Sequence, residues 1–274
     1  MSKIGLGLIT CNREDFLIQA VESIMAIVPT SKFHAVCIIN DGDPISKETL
    51  DRMLLPKEVL IQHDKNYGVA KAKNDALKNL MDAGCDHLFL MEDDIVFNDP
   101  YVIEKYITAA ETSGIQHLNY GGHGIYNRDK EGNINTKASI TVKDTDVELN
   151  LYHNILGAFS YYSREVIEKV GYMDENYHNA MEHVDHTYRI IQAGYHPPFW
   201  WFADIKDSWK AIEDIKPFHE ESVIRKDHDK WMENLRSACD YFKTKHGFSP
   251  MEVPVEPTAI VGESLKNIRA KHGN

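Results

Sequence analysis

Within the first 92 residues, four short apolar runs alternate with longer stretches whose apolar positions recur every three or four residues. The runs are Ile4-Gly5-Leu6-Gly7-Leu8-Ile9, Ala35-Val36-Cys37-Ile38-Ile39, Val59-Leu60-Ile61 and His87-Leu88-Phe89-Leu90-Met91. Between them, Phe16, Leu17, Ala20, Val21, Ile24 and Met25 keep helical spacing, as do Ala70, Ala72, Ala76, Leu77 and Leu80 within Val69 to Met81. Pro100 opens a further helix, since proline is tolerated in a first helical turn. Strands that alternate with helices dictate βαβ units with right-handed crossovers, hence an α/β fold with a mostly parallel central sheet covered by helices on both faces. Ligands of such sheets bind beyond the carboxyl ends of the strands. That rule gathers Thr10 to Arg13, Asp41 to Asp43 and Glu92 to Asp94 on one rim.

The second half is less regular. Gly121 to Lys137, rich in Gly, Asn, Asp and Lys, reads as a loop or hairpin. Apolar runs resume at Leu149 to Tyr162, followed by helices over Ser163 to Val170 and Glu182 to Ala193. Phe199-Trp200-Trp201-Phe202 reads as a strand with alternate residues buried, one of Trp200 and Trp201 lining a binding face being the alternative, and Asp227 to Lys245 reads as a helix. From Pro250 onward three prolines suggest a surface tail. The expected division is an α/β unit over 1–203 that carries the strand-end rim and a helical extension with a tail over 204–274 that completes the site.

The 274 residues carry 42 acidic and 30 basic side chains, a net charge of −12, which disfavours loose electrostatic binding to nucleic acid. No window approaches the ~18 apolar residues of a membrane span. Four widely spaced cysteines form no CxxC pair, so a cytoplasmic, reducing setting is expected rather than a disulfide framework or zinc site.

Glu92-Asp93-Asp94 carries the most chemistry. Three acids directly after an apolar strand repel one another unless a cation or hydrogen-bond donors neutralise them. Carboxylate oxygens suit Mg²⁺ or Mn²⁺, which bind through one or two protein carboxylates together with substrate phosphates. Farther on, Glu182 and Asp185 stand three residues apart at a helix start, on one face near the positive end of its dipole. A carboxylate held there can accept a proton from an attacking hydroxyl.

Six motifs occur in order over residues 3 to 202. They are Thr10-Cys11-Asn12-Arg13; Asn40-Asp41-Gly42-Asp43; Asn66, Gly68, Ala72 and Asn74; Glu92-Asp93-Asp94; Gly157 with Ser163-Arg164 and Val170-Gly171-Tyr172-Met173-Asp174-Glu175; and Glu182-His183-Val184-Asp185 with Arg189 and Gly194. Their order and spacing resemble the family 2 glycosyltransferases of the GT-A fold. The resemblance implies transfer of a single sugar from a nucleotide-sugar donor to an acceptor hydroxyl, with inversion and a Mn²⁺ or Mg²⁺ cofactor. It assigns Asp41 to the nucleotide base with Thr10, Asn12 and Arg13 nearby, Lys71 and Asn74 to the nucleotide, and Asp94 to the metal. Glu92 and Asp93 would then face the ribose or metal-bound waters. His183 stands where the family's second acid usually stands, so the base is open between Asp185, Glu182 and His183, with Asp185 favoured. His219 and His228 are candidates for a further metal ligand, and the segment from His219 to Lys226, with Arg225, for a lid. The Gln-x-x-Arg-Trp signature of processive polymerases is absent.

Two rivals remain. A nucleotidyltransferase would carry a Gly-rich basic loop after the first strand, which Thr10 to Asp15 lacks. A binding protein that has lost catalysis is the other, favoured by His183 in the base motif. The expected acceptor is a glycan or a lipid-linked glycan, with a modified DNA base, as used by some phage glycosyltransferases, as the alternative.

Overall fold

The structure is a computed structural model, and it describes residues 2–53, 58–216 and 227–273. The chain runs β1 (Ile4–Thr10), α1 (Glu14–Ile27), β2 (Phe33–Asn40), α2 (Lys47–Arg52), β3 (Glu58–Gln62), α3 (Val69–Asp82) and β4 (His87–Glu92). Then follow β5 (Ile95–Phe97), α4 (Val102–Ser113), β6 (His117–Asn119), β7 (Ala138–Thr141), β8 (Glu148–Tyr152), β9 (Phe159–Ser163), α5 (Arg164–Val170) and α6 (Glu182–Gln192). The last elements are β10 (Phe202–Ile205), α7 (Ser208–Ala211), β11 (Ile212–Asp214), α8 (His228–His246) and α9 (Thr258–His272).

Among the described residues the main sheet has six strands in the order β3-β2-β1-β4-β9-β6. β3, β2, β1 and β4 are parallel; β9 runs antiparallel to β4, and β6 antiparallel to β9. Alternation along each strand feeds two cores, because successive side chains leave opposite faces of a strand. Leu6, Leu8, Phe89 and Met91 pack with Leu17, Ile24, Tyr106 and other residues of α1 and α4. Ile9, Ile39, Leu88 and Leu90 pack with Ala76, Leu77 and Leu80 of α3 and Ile190 of α6. A small sheet β10-β8-β7 and a ribbon β11-β5 flank the site. Residues 204–273 contribute β11 to that ribbon, and α9 to the cover of α4.

Two expectations are corrected. Phe199 to Phe202 is not a strand: Trp200 has φ of 68°, Trp201 N donates to Pro198 O at 3.0 Å, and β10 begins only at Phe202. Pro197 and Pro198 have no N–H and a fixed φ, so the chain turns before it can extend. Neither tryptophan lines the two clefts at the strand ends; their indole N–H groups donate to Val253 O (2.7 Å) and Glu256 O (2.9 Å). Those bonds hold the segment after Pro250, which is not a tail. Ser249 caps a single 3₁₀ turn, and α9 follows with Val261 and Ile268 buried against the main core.

The α4–α9 contact runs through Gly114. This residue ends α4 in the left-handed region at φ 78°, and a β-carbon there would lie 2.7 Å from Ile268 O. Gly194 has a similar φ of 83°, with nothing within 4 Å of that position. Both alanine variants carry the left-handed strain, of order 1–3 kcal/mol, and only Gly114→Ala also pushes α9 away. Thermal melts should therefore rank Gly114→Ala clearly below Gly194→Ala; equal melting temperatures would mean that α9 is not packed there.

Candidate active site

β1, β2 and β4 end on one rim, and their loops bind one another before any ligand is considered. Thr10 Oγ1 donates to Asp93 Oδ2 at 2.7 Å, and the Asp41 N–H donates to Thr10 O at 3.0 Å. Asn12, at φ 54°, accepts from the Asp43 N–H at 2.6 Å and so ties the first loop to the second. Arg13 forms an ion pair with Asp93 and another, at 3.3 Å, with Asp94. Burial pushes the Asp93 carboxyl up to about 7, against the opposing pull of Arg13 and Thr10.

The third acid of this rim is held from the opposite side. Lys73, on α3, is almost fully buried and donates to Glu92 Oε1 (2.7 Å), Glu182 Oε1 (3.0 Å) and Gly157 O (3.3 Å). Burial alone would discharge this amine; the flanking carboxylates outweigh it and hold the ammonium form above the ordinary lysine range. Glu92 and Glu182 are in turn held below the ordinary carboxylate range, because the attraction of Lys73 exceeds the cost of their burial. Glu182 also accepts from His183 Nδ1 at 2.9 Å, since an ionised carboxylate can only accept. Gly157 makes the close approach possible: a β-carbon there would lie 2.8 Å from Lys73 Nζ and 3.3 Å from both Glu92 Oε1 and His183 Nδ1.

Two clefts meet at this centre. One, of about 640 Å³, is lined by Thr10, Arg13, Asp41, the three acids, and Asp227, Lys230 and Asn234 around the start of α8. The other, of about 390 Å³, is lined by His123, Glu182, His183, the loop before β9 and another side of α8. Val69, Glu92, Asp94 and Asn179 belong to both. His123 donates through Nδ1 to Asp214 Oδ1 at 2.8 Å. Although burial opposes its charge, that bond and the nearby carboxylates of Asp94 and Glu92 raise its imidazole to about 9.

The donor set suits a hard divalent cation. Asp94 Oδ1 is buried without a hydrogen-bond partner, while Arg13 and Thr10 engage Asp93, and Lys73 engages Glu92. Among the described residues no three His, Cys, Asp or Glu side chains converge as a metal cluster. A cation here would therefore rest on Asp94, waters and diphosphate oxygens, the coordination Mg²⁺ and Mn²⁺ commonly adopt.

The remaining candidates divide. Asp41 is at the wall of the larger cleft, with its carboxylate accepting from Tyr67 N and Gly68 N, both at 2.8 Å, and bonded to His63 Nδ1 at 2.6 Å. Asn74 joins α3 to Met173 and Glu175, and Lys71 pairs with Asp75; neither lines a cleft. His228 is exposed in the first turn of α8 and lines neither cleft, while His219, Arg225 and Lys226 lie outside the described residues.

Asp185, the favoured base, lines neither cleft. It is fully buried at the α6–α8 contact, within 3.0 Å of Arg189 Nε, 2.7 Å of His246 Nε2 and 2.9 Å of Lys245 Nζ. Burial raises its carboxyl, but these three cationic or donor groups outweigh that and leave it below its ordinary value. Facing a cleft in its place is His183. Lys73 and His123 escaped the motif reading, although Lys73 had a signal: it stands three residues after Ala70 and four before Leu77, on the apolar stripe of α3.

Two stability tests follow. Lys73→Met leaves the buried Glu182 and the partly exposed Glu92 without their cation and should cost about 3–5 kcal/mol; adding Glu182→Gln should restore part of that loss in denaturant melts. Asp185→Asn should cost about 1.5–3 kcal/mol, the worth of hydrogen bonds to a charged group, and expose α8 to amide exchange. Because the native carboxyl titrates below its unfolded value, this contribution is complete above about pH 4 and is lost as pH falls through the native pKa. The variant should lack that part of the acid dependence.

Known proteins that this chain is similar to are glycosyltransferases. The family model for glycosyl transferase family 2 matches residues 6–171. An uncharacterised glycosyltransferase of Acanthamoeba polyphaga mimivirus is 25% identical over 197 residues, covering 69% of this chain and 73% of that protein. A mannosyltransferase of Pyrobaculum calidifontis, solved in complex with GDP-Man and Mn²⁺, superposes with a TM-score of 0.58 at 13% identity, over 99% of this chain and 76% of that one. TarS of S. aureus superposes with a TM-score of 0.56 at 12% identity, over 99% of this chain; the present chain spans only 44% of that TarS chain. No helix among the described residues is long and apolar enough to cross a membrane. With the family model covering more than half its length, and with this sheet and rim, the chain belongs to glycosyl transferase family 2 and has the GT-A fold.

Proposed function

We propose that this chain transfers one sugar from a nucleotide-sugar donor to an acceptor hydroxyl, with a divalent cation at Asp94 and His183 as the base. The observation that carries this reading is the meeting of a polar cleft and a second cleft at Asp94 and Glu92, with His183 on the second side only. The structural neighbour solved with GDP-Man and Mn²⁺ supports a nucleotide-sugar donor and a divalent cation.

The nucleotide would lie along Thr10, Asp41 and the loop at Asn66, with the diphosphate toward Asp94. A bound cation supplies charge neutralisation for the departing diphosphate. Thr10 and Arg13 hold Asp93 so that the rim keeps its shape. Glu182 accepts the Nδ1 proton of His183 and fixes the tautomer, leaving the Nε2 lone pair for the acceptor, the arrangement by which a carboxylate orients a catalytic imidazole. The acceptor O–H gives its proton to Nε2 as its oxygen bonds to the anomeric carbon. The bond from that carbon to the phosphate oxygen breaks, and the nucleoside diphosphate leaves with the electron pair. A single displacement inverts the anomeric centre. Glu182 is a poor candidate for the base itself, because Lys73 and His183 stabilise its anion.

A thermal-shift screen of UDP-, GDP-, dTDP- and CMP-sugars with and without Mn²⁺ tests the donor. A true ligand at a hundred times its Kd adds about 2.7 kcal/mol. Asp94→Ala should abolish the metal-dependent part and leave the free protein folded. His183→Ala should lower kcat by about 10²–10⁴ with donor affinity unchanged, and His183→Asp, which restores an acid at that position, should recover part of the turnover. Full turnover in His183→Ala would move the base elsewhere, and donor binding without turnover under any condition would favour the binding-protein reading.

A further inference from the structure

The two clefts differ in chemistry, and the difference concerns the acceptor. The larger cleft presents acids, amides, Arg13 and Lys230. Besides Glu92, Asp94, His183 and further polar residues, the smaller one is lined by Ile155, Leu156, Val184, Trp231, Leu235 and Met251. Ile155 and Leu156 come from the loop before β9, Val184 from the first turn of α6, and Trp231 and Leu235 from successive turns of α8. One of its polar residues, Asn154, spends its amide N–H groups within the protein, on Tyr126 O at 2.9 Å and Asn127 Oδ1 at 3.3 Å. The wall does not suit a phosphodiester: Glu92, Asp94 and Glu182 line the cleft, against Lys216 and His123 as its cationic residues among those described.

We infer that the acceptor carries its reacting hydroxyl on an uncharged apolar body, an aryl or alkyl alcohol, whose hydrocarbon part lies between Leu156 and the Trp231–Leu235 face of α8 while the hydroxyl reaches His183. This rests on the proposed function and narrows its acceptor. Apolar surface removed from water drives such binding in proportion to its area, so affinity should grow with the hydrocarbon part. A cleft of about 390 Å³ is large enough to enclose a substituted phenol.

Calorimetric titration of the full chain with phenol, 4-butylphenol, methyl glucoside and a single-stranded oligodeoxynucleotide separates the possibilities. The expected result is binding of 4-butylphenol at least tenfold tighter than phenol, with the glucoside and the oligonucleotide much weaker. Leu235→Gln, on the far wall, should weaken 4-butylphenol at least fivefold while leaving the nucleotide-and-Mn²⁺ thermal shift unchanged. Met251→Asp, at a residue 76% exposed and so safe for folding, should act in the same direction. Equal affinity for phenol and 4-butylphenol, tighter binding of the glucoside or oligonucleotide, or no response to either substitution would overturn the inference. The donor reading is judged separately, by the nucleotide shift that these variants should leave intact.

Discussion

A single buried ammonium group holds the centre together. Lys73 reaches from α3 to Glu92 at the end of β4 and to Glu182 at the start of α6, so the strand that presents the acids and the helix that presents His183 share one counter-ion. Two carboxylates this close and this buried could not both stay ionised without it. Arg13 pairs with Asp93 from the opposite loop but does not offset the cost of burial there, so that carboxyl stays raised. Each acid of the rim thus has a basic partner within the protein, and Asp94 Oδ1 is the buried oxygen that has no hydrogen-bond partner.

The same logic explains why α6 carries two acids with different tasks. Glu182 faces inward to Lys73 and His183, whereas Asp185, one turn later, collects Arg189, Lys245 and His246. The second acid fastens α8, whose Ala238 and Phe242 pack with Tyr177 and Ala180. Proximity in the motif suggested shared chemistry; burial separates the two.

How far the residues could be read in advance depended on which force decides each feature. Period and alternation are local, so β1 to β4 and the helices α1 and α3 were plain, and the strand-end rule brought Thr10, Asp41 and Glu92 to one edge. Short strands such as β5, β6 and β11 owe their existence to partners distant in sequence, and no local pattern marks three residues. Prolines near 250–257 hid α9, although Val261, Leu265 and Ile268 keep helical spacing. On α3 the motif drew attention to Lys71, which lies with Asp75, Lys78 and Asp82 on the polar face, while the lysine on the apolar stripe is the one at the centre. For Asp185 the helix-start argument was correct about location on the chain and silent about direction, which the docking of α8 decides.

One face of α8 looks both ways: Lys230 and Asn234 toward the polar cleft, Trp231 and Leu235 toward the apolar one. Under the proposed function, any free energy by which a nucleotide sugar tightens that helix appears, equal in size, as enhanced affinity for the acceptor, since such coupling is reciprocal. A shared wall of this kind would couple the two substrates without a moving domain.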